Sequence, residues 1–235
     1  MRNILFYIWT FIILFFSIPL LIVAKITKNP KITINYIHFF ASSTNFVMGN
    51  KVKVINIENY KNIEGPFLMV ANHESFFDLY NTYVTLTGIP FTVVAKKELS
   101  KVPILSSWMK TSHVVFLDRK NPRQSIKDMQ KAVGFLKSGL SMGILPEGTR
   151  STEDMEFKPG SLKIAYKSKV TILPVTFRNT ASILENRITS KNQETLVYIH
   201  EPIKYEEYKD VDIIELSQDI QSKIQSIRKE DYLVR

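Results

Sequence analysis

From Ile4 to Ala24 the chain runs 21 residues without a charge. As one helix rising 1.5 Å per residue, such a run crosses about 30 Å of hydrocarbon. Phe6, Tyr7, Trp9, Phe11, Phe15 and Phe16 leave it no polar face, so it does not read as a helix of a soluble core. A secretory signal fits poorly, because the apolar core is too long and "LIVAKIT" lacks a small-x-small cleavage site. The expectation is a membrane-anchoring segment over residues 1–50. Pro19 complicates a straight span by removing a backbone donor, so the run either crosses or forms a helical hairpin with the weaker apolar stretch Ile32 to Met48.

Charge supports the same reading. The first acidic residue is Glu58, so residues 1–57 hold Arg2, Lys25, Lys28, Lys31, Lys51 and Lys53 unopposed, six of a net +9. A basic cluster beside an apolar anchor suits the anionic bilayer surface, at about 1 kcal/mol per cation near it. Lys25, Lys28 and Lys31 outnumber Arg2 on the other flank, which places the remainder of the chain on the cytoplasmic side of the membrane. No zinc-finger, RNP-type or Lys/Arg-run pattern accompanies the charge, so nucleic acid is not expected as a partner. The chain has no cysteine, which removes disulfides, thiolate nucleophiles and thiolate metal sites together.

Residues 51–235 form a second unit in which short β-type runs alternate with helix-period stretches, the pattern of an α/β domain. "KVKVINIE" alternates with period two, while "GPFLMVAN", "FTVVAK", "HVVFLD", "LSMGILP" and "VTILPVTF" are continuous apolar runs of the buried kind. Ile126, Met129, Val133 and Leu136 share one helical stripe that stops at Gly139, and Ile213, Leu216, Ile220, Ile224 and Ile227 share another. Polar residues follow the apolar runs, at the strand ends where open α/β sheets place their sites.

The stretch "VANHESFFDLYNTYV" can be read in two ways. Ser75 as N-cap and Asp78 at N3 form a capping box, which leaves His73 without a role. Alternatively the box turns Asp78 toward one imidazole nitrogen of His73 and leaves the other as an acceptor, the arrangement of a general base. Spacing alone leaves both open. Downstream, "ILPEGTRS" places Glu147, Gly148, Thr149 and Arg150 in a loop that is either an ordinary surface ion pair or a seat for an anionic oxygen. "VVFLDRK" ends an apolar run in Arg119, a second planar cation. His38, His113 and His200 show no ligand spacing, so no metal is expected.

Taken together, these stretches resemble the glycerolipid acyltransferase family. Asn72, His73, Ser75 and Asp78 match its first motif, an Asn-His-x-Ser block built on His-x₄-Asp. Val115 to Arg119 resembles its second motif, Pro146 to Ser151 its third with Leu145 in place of Phe, and Ile172 to Val175 its proline-containing fourth. The resemblance covers about residues 65 to 180, "AKKEL" and "FKPG" included. One departure is His113, where the family often has Gly; it bears on the local turn and on acceptor preference.

The resemblance implies an α/β domain with a mixed sheet flanked by helices, like the glycerol-3-phosphate acyltransferases. It implies transfer of a fatty acyl group from acyl-CoA or acyl carrier protein to the hydroxyl of 1-acylglycerol-3-phosphate, giving phosphatidic acid without a cofactor. His73 would be the base and Asp78 its orienting carboxylate. Arg119, Glu147, Gly148, Thr149 and Arg150 would hold the phosphate and glycerol of the acceptor. Ser75 as nucleophile is the rival reading, set aside because no G-x-S-x-G elbow is read anywhere in the chain, which leaves Ser75 its capping role. The alternatives are an acyltransferase for another lysophospholipid, a non-catalytic lipid-binding protein at the membrane, and a hydrolase using water as acceptor.

Overall fold

The computed structural model describes residues 2–184 and 193–229. Among them seven strands form one sheet: β1 (Asn50–Ile55), β2 (Phe67–Ala71), β3 (Phe91–Lys96), β4 (Val115–Leu117), β5 (Ser141–Ile144), β6 (Thr171–Arg178) and β7 (Gln193–Ile199). Their order is β1-β7-β6-β2-β5-β3-β4. All neighbours are parallel except β6 and β7, so β1 and β7 run against the other five and the sheet is mixed.

β2 is buried on both faces, which is why its sequence reads as an unbroken apolar run. Its side chains still alternate. Leu68 and Val70 pack with Met142, Leu136, Ile220 and Ile224 on one face. Phe67, Met69 and Ala71 pack with Phe91, Val93, Leu173 and Val175 on the other. The helices Pro122–Lys137 and Ile213–Lys229 contribute to the first cluster through the expected stripes, with one correction. Ile126 is exposed, and the buried line of its helix begins instead at Asp128 and continues through Ala132 and Leu136. Asp128 belongs inside because its carboxylate accepts from the Asp118 N–H at 3.2 Å and the Gln124 amide at 2.8 Å.

Two helices end in the same way with different residues. At the helix Pro122–Lys137, the Leu140 N–H reaches the Phe135 carbonyl and the Gly139 N–H the Leu136 carbonyl, with Gly139 at φ 94°. At the helix Leu105–Thr111, the Val114 N–H reaches Met109 and the His113 N–H reaches Lys110, with His113 at φ 60°. Both are Schellman ends, which place a left-handed residue just past the helix. His113 therefore fills the left-handed position that Gly139 fills at the other helix, and the strand that follows starts at Val115 rather than at His113. The left-handed conformation disfavours a side chain by about 1–2 kcal/mol, while the ring packed 5.1 Å from Phe135 returns about 0.5–1 kcal/mol. His113→Gly should accordingly stabilise the fold by about 0.5 kcal/mol, read as a melting temperature raised by roughly 1–2 °C.

The N-terminal run is not one helix. It breaks at Ser17 into α1 (Arg2–Phe16) and α2 (Ile18–Thr27), bent by 49° between Asn3–Phe16 and Ile18–Thr27, and α3 (Pro30–Val47) follows. Pro19 lies in the first turn of α2, where its missing N–H is tolerated. Ser17 fixes the bend: its hydroxyl bonds the Leu14 carbonyl and accepts the Trp108 indole N–H at 2.8 Å. No single helix among the described residues is long and apolar enough to cross a membrane; the bent pair passes that test only jointly. One side of these helices packs on the body through Phe6, Leu14, Leu21, Ala24, Tyr36 and Phe40, with Tyr36 stacked 3.9 Å from Trp108. The other side, including Ile4, Tyr7, Phe11, Phe16, Ile26 and Phe46, is exposed and apolar.

Candidate active site

Sheet order brings distant residues together. β5 lies beside β2 on one side and β6 on the other, and all three are parallel, so the loops after them meet at one edge. His73 follows β2, Glu147 follows β5 and Thr180 follows β6. Asn72 locks the first loop in place: its side-chain amide exchanges two hydrogen bonds with the Phe177 backbone, at 2.8 and 2.9 Å, extending the β2–β6 ladder by one pseudo-residue.

His73 Nδ1 lies 2.7 Å from Asp78 Oδ2. The same oxygen accepts the backbone N–H groups of Glu74 at 2.8 Å and Ser75 at 3.0 Å, and Oδ1 accepts the Thr180 hydroxyl at 2.5 Å. Asp78 is fully buried, and a carboxylate so placed is sustained by the donors around it. Because Asp78 acts here as an acceptor from every partner, the imidazole proton sits on Nδ1 and the lone pair on Nε2. The helix itself, Phe77–Thr85, starts later than the capping box places it. Ser75 Oγ accepts from the Phe77 N–H at 3.2 Å, so it caps locally, while the reach-back of Asp78 is formed as expected.

The loop after β5 is bonded to the His73 backbone at two points. Glu147 Oε2 accepts the His73 N–H at 2.9 Å, and the Ser151 N–H donates to the His73 carbonyl at 2.8 Å. Glu147 is thus a buried structural carboxylate and not a surface ion pair. Gly148, at φ 73°, turns the chain and exposes Thr149 and Arg150. The Arg119 guanidinium donates to the Gly148 carbonyl. A methyl group on Gly148 would meet Lys158 Nζ at 2.8 Å and Arg119 at 3.4 Å, so the bare glycine is what lets two cations close over this loop. Arg150 lies 4.0 Å above the Phe76 ring, a cation–π contact that ties it to the His73 loop. Of the residues singled out in the sequence, His73, Asp78, Arg119, Glu147, Gly148 and Arg150 are joined directly or through one neighbour; Thr149 shares the loop as an exposed residue.

Sequence reasoning passed over four participants: Glu74, Lys158, Thr180 and Arg228. It also passed over "GLSMG", Gly139 to Gly143, which has the G-x-S-x-G spelling. Ser141 opens β5, is buried and accepts the Phe67 N–H at 3.3 Å, so it sits at a strand start and not on a strand-to-helix elbow.

Burial pushes the Glu74 carboxyl up to about 7, with Asp78 adding to the rise and Arg228 and Thr180 opposing it. Burial likewise raises Glu147 to about 7, against the bond from the His73 N–H and the charge of Arg228. Such a group in the folded protein holds its proton to higher pH than in the unfolded chain. Its stabilising contribution is complete below about 4.5 and is lost as pH rises toward about 7. Melting of wild type should therefore fall from pH 5 to pH 8 relative to Glu74→Gln. A constant difference between the two across that window would contradict the assignment.

The His73–Asp78 pair thus stands at the carboxyl edge of a mostly parallel sheet, beside a loop over which Arg119, Arg150 and Lys158 gather. The family model Acyltransferase matches residues 51–178, more than half of the chain, and the chain belongs to this family. It is 32% identical over 83% of its length to a protein of Mycoplasma genitalium named probable 1-acyl-sn-glycerol-3-phosphate acyltransferase, covering 77% of that protein. It is 30% identical over 80% of its length to the chloroplastic 1-acyl-sn-glycerol-3-phosphate acyltransferase LPAT1 of Arabidopsis thaliana, of which it spans 56%. In fold it is similar to the crystal structure of the 1-acyl-sn-glycerophosphate acyltransferase of Thermotoga maritima. The TM-score is 0.76 at 23% identity, covering 98% of this chain and 99% of that one.

Proposed function

We propose that this chain transfers a fatty acyl group from an acyl thioester, acyl-CoA or acyl carrier protein, to the free hydroxyl of 1-acylglycerol-3-phosphate. The observation that carries the reading is the His73–Asp78 pair, whose geometry leaves Nε2 as an acceptor. The hydroxyl oxygen attacks the thioester carbonyl as its proton passes to His73 Nε2, forming the C–O bond. Collapse of the tetrahedral adduct breaks the C–S bond and releases a thiolate. With a thiol pKa of about 8.5 the leaving group needs little acid assistance, and the imidazolium returns the proton to it or to solvent. No acyl-enzyme is required. Ser75 is fully buried with its oxygen accepting from the Phe77 N–H, which favours the capping role over that of nucleophile.

Arg119, Arg150 and Lys158 supply the positive charge for the acceptor phosphate, with Gly148 and Thr149 forming the floor and Glu147 holding the loop. Beyond Phe76 lies an apolar cavity of about 160 Å³ lined by residues such as Leu79, Tyr83, Val93, Leu99 and Met109. Its apolar lining suits an acyl chain, and Phe76, three residues after His73, forms part of its wall. The exposed apolar side of α1 to α3, flanked by Lys25, Lys28 and Lys31, lies in the headgroup region of a membrane, with the body on the cytoplasmic side. On this reading residues 1–50 anchor and 51–235 catalyse.

The test supplies purified protein with isotope-labelled acyl-CoA or acyl carrier protein and a panel of lysolipids, and follows products by mass spectrometry. Labelled phosphatidic acid from 1-acylglycerol-3-phosphate is the expected product. Preference for another lysolipid would reassign the acceptor, and free fatty acid alone would indicate a hydrolase.

A further inference from the structure

The last turn of the C-terminal helix Ile213–Lys229 sends Arg228 into the site from outside the matched family segment. Its side chain is 6% exposed. Nε lies 3.3 Å from Glu74 Oε1, and one terminal nitrogen lies 3.8 Å from Glu147 Oε1 and 3.3 Å from Asp154 Oδ1. The guanidinium also donates to the carbonyls of Ser151 at 2.7 Å and Glu153 at 3.0 Å. A single planar cation thus spans the loop after β2 and the loop after β5.

The two carboxylates it holds are each bonded onward to the base pair. Glu147 uses its other oxygen for the His73 N–H. Glu74 uses its other oxygen for the Thr180 N–H at 3.2 Å, and the Thr180 hydroxyl bonds Asp78. Arg228 is therefore two contacts away from His73 through Glu147, and three away from Asp78 through Glu74 and Thr180. A third route runs through Ser151, since the residue whose carbonyl it binds donates its own N–H to the His73 carbonyl.

We propose that Arg228 is a positioning residue for the acyl-transfer reaction, holding Glu74, Glu147 and Ser151 so that His73 and Asp78 stay aligned. The inference rests on the acyltransferase reading for its kinetic consequence, though not for its structural one. A guanidinium suits this place because its fork addresses several acceptors in fixed directions, whereas an ammonium is a point charge. Removing it leaves Glu74 and Glu147 buried without a cation, and both then retain protons to higher pH. The charged and titratable groups facing the position are Glu74, Asp78 and His73 from the first loop, Glu147 and Asp154 from the second, and Lys229 on its own helix.

The experiment pairs amide hydrogen exchange with steady-state kinetics for wild type, Arg228→Lys, Arg228→Met and the triple variant Arg228→Met with Glu74→Gln and Glu147→Gln. The triple variant carries no unpaired buried carboxylate at positions 74 and 147, so it reports even if Arg228→Met alone fails to fold. Expected are exchange at the His73 and Ser151 amides accelerated about tenfold with β6 unchanged, and kcat lowered roughly 30-fold with acceptor KM within about threefold. The acidic limb of the kcat profile should move to higher pH in Arg228→Met, and Arg228→Lys should recover part of kcat. Unchanged exchange at His73 and Ser151 overturns the inference whether or not the protein is active. So does wild-type kcat in the triple variant, or a loss of kcat that only follows global melting with no change in the pH profile. Wild-type protein that shows the exchange pattern but transfers no acyl group would defeat the acyltransferase reading instead.

Discussion

His73→Ala should lower kcat about 10²- to 10⁴-fold while the protein stays folded, the range by which a positioned general base accelerates proton transfer. The fold should survive because Asp78 keeps three of its four donors: the N–H groups of Glu74 and Ser75 and the Thr180 hydroxyl. The loss of one charge-assisted bond at a partly exposed side chain is worth at most about 1.5–3 kcal/mol. The backbone of residue 73 should also stay in place, since its contacts to Glu147 and Ser151 do not involve the imidazole. Acceptor KM should change little, because the ring acts on the hydroxyl proton and not on the phosphate. Circular dichroism and initial rates on one preparation check both halves of this result.

Asp78→Asn should be nearly as damaging to turnover, for a different reason. An amide that presents its NH₂ to His73 forces the imidazole proton from Nδ1 to Nε2, so the nitrogen facing substrate becomes a donor and cannot accept the hydroxyl proton. The same substitution in the serine protease triad lowers kcat about 10⁴-fold by this route. Here about 10³-fold is expected, since the thiolate leaves with little need of the imidazolium proton, whereas the amine expelled in the protease requires it. Presenting the NH₂ to His73 also sets it against the Glu74 and Ser75 N–H groups. With the oxygen there instead, the NH₂ faces the Thr180 hydroxyl, which must then accept, the tautomer is kept, and turnover falls only through loss of the charge that supports the imidazolium. Asp78→Ala is the less informative variant. It leaves two backbone N–H groups and a hydroxyl unsatisfied in a fully buried place, at about 1–3 kcal/mol each, and endangers the fold itself. Initial rates alongside melting curves separate the two outcomes.

Much of the site could be read from the chain because its chemistry is local. His73 and Asp78 are five residues apart, and the reach-back of a carboxylate at a helix start is a short-range device. The parallel strands were legible for the same reason, as buried runs with abrupt ends. β7 was not. Of its four inward residues, Gln193 and Thr195 are polar and buried, satisfied by Ser182 and by Asn50 and Asn81, so the alternation shows no apolar signal in its first half. Arg228 was hidden more deeply. Nothing in the helical period of Ile220, Ile224 and Ile227 separates it from the solvated lysines around it, and its partner Glu74 is 154 residues away. The N-terminal segment was half legible: composition gave its apolar character, and Pro19 marked where a straight helix would be interrupted. At the bend Ser17 accepts the Trp108 indole N–H, a contact made across 91 residues that no local pattern announces.

Direct, base-assisted transfer carries the acyl group to a lipid hydroxyl with no covalent enzyme intermediate. Its most direct measurement is thiol release and intact-protein mass on mixing enzyme with acyl-CoA alone, followed by addition of 1-acylglycerol-3-phosphate. The account predicts no stoichiometric burst and no acyl adduct before the acceptor arrives, then one thiol for each phosphatidic acid formed. A burst equal to the enzyme concentration with added acyl mass on the protein, or steady thiol release without a lipid product, would contradict it.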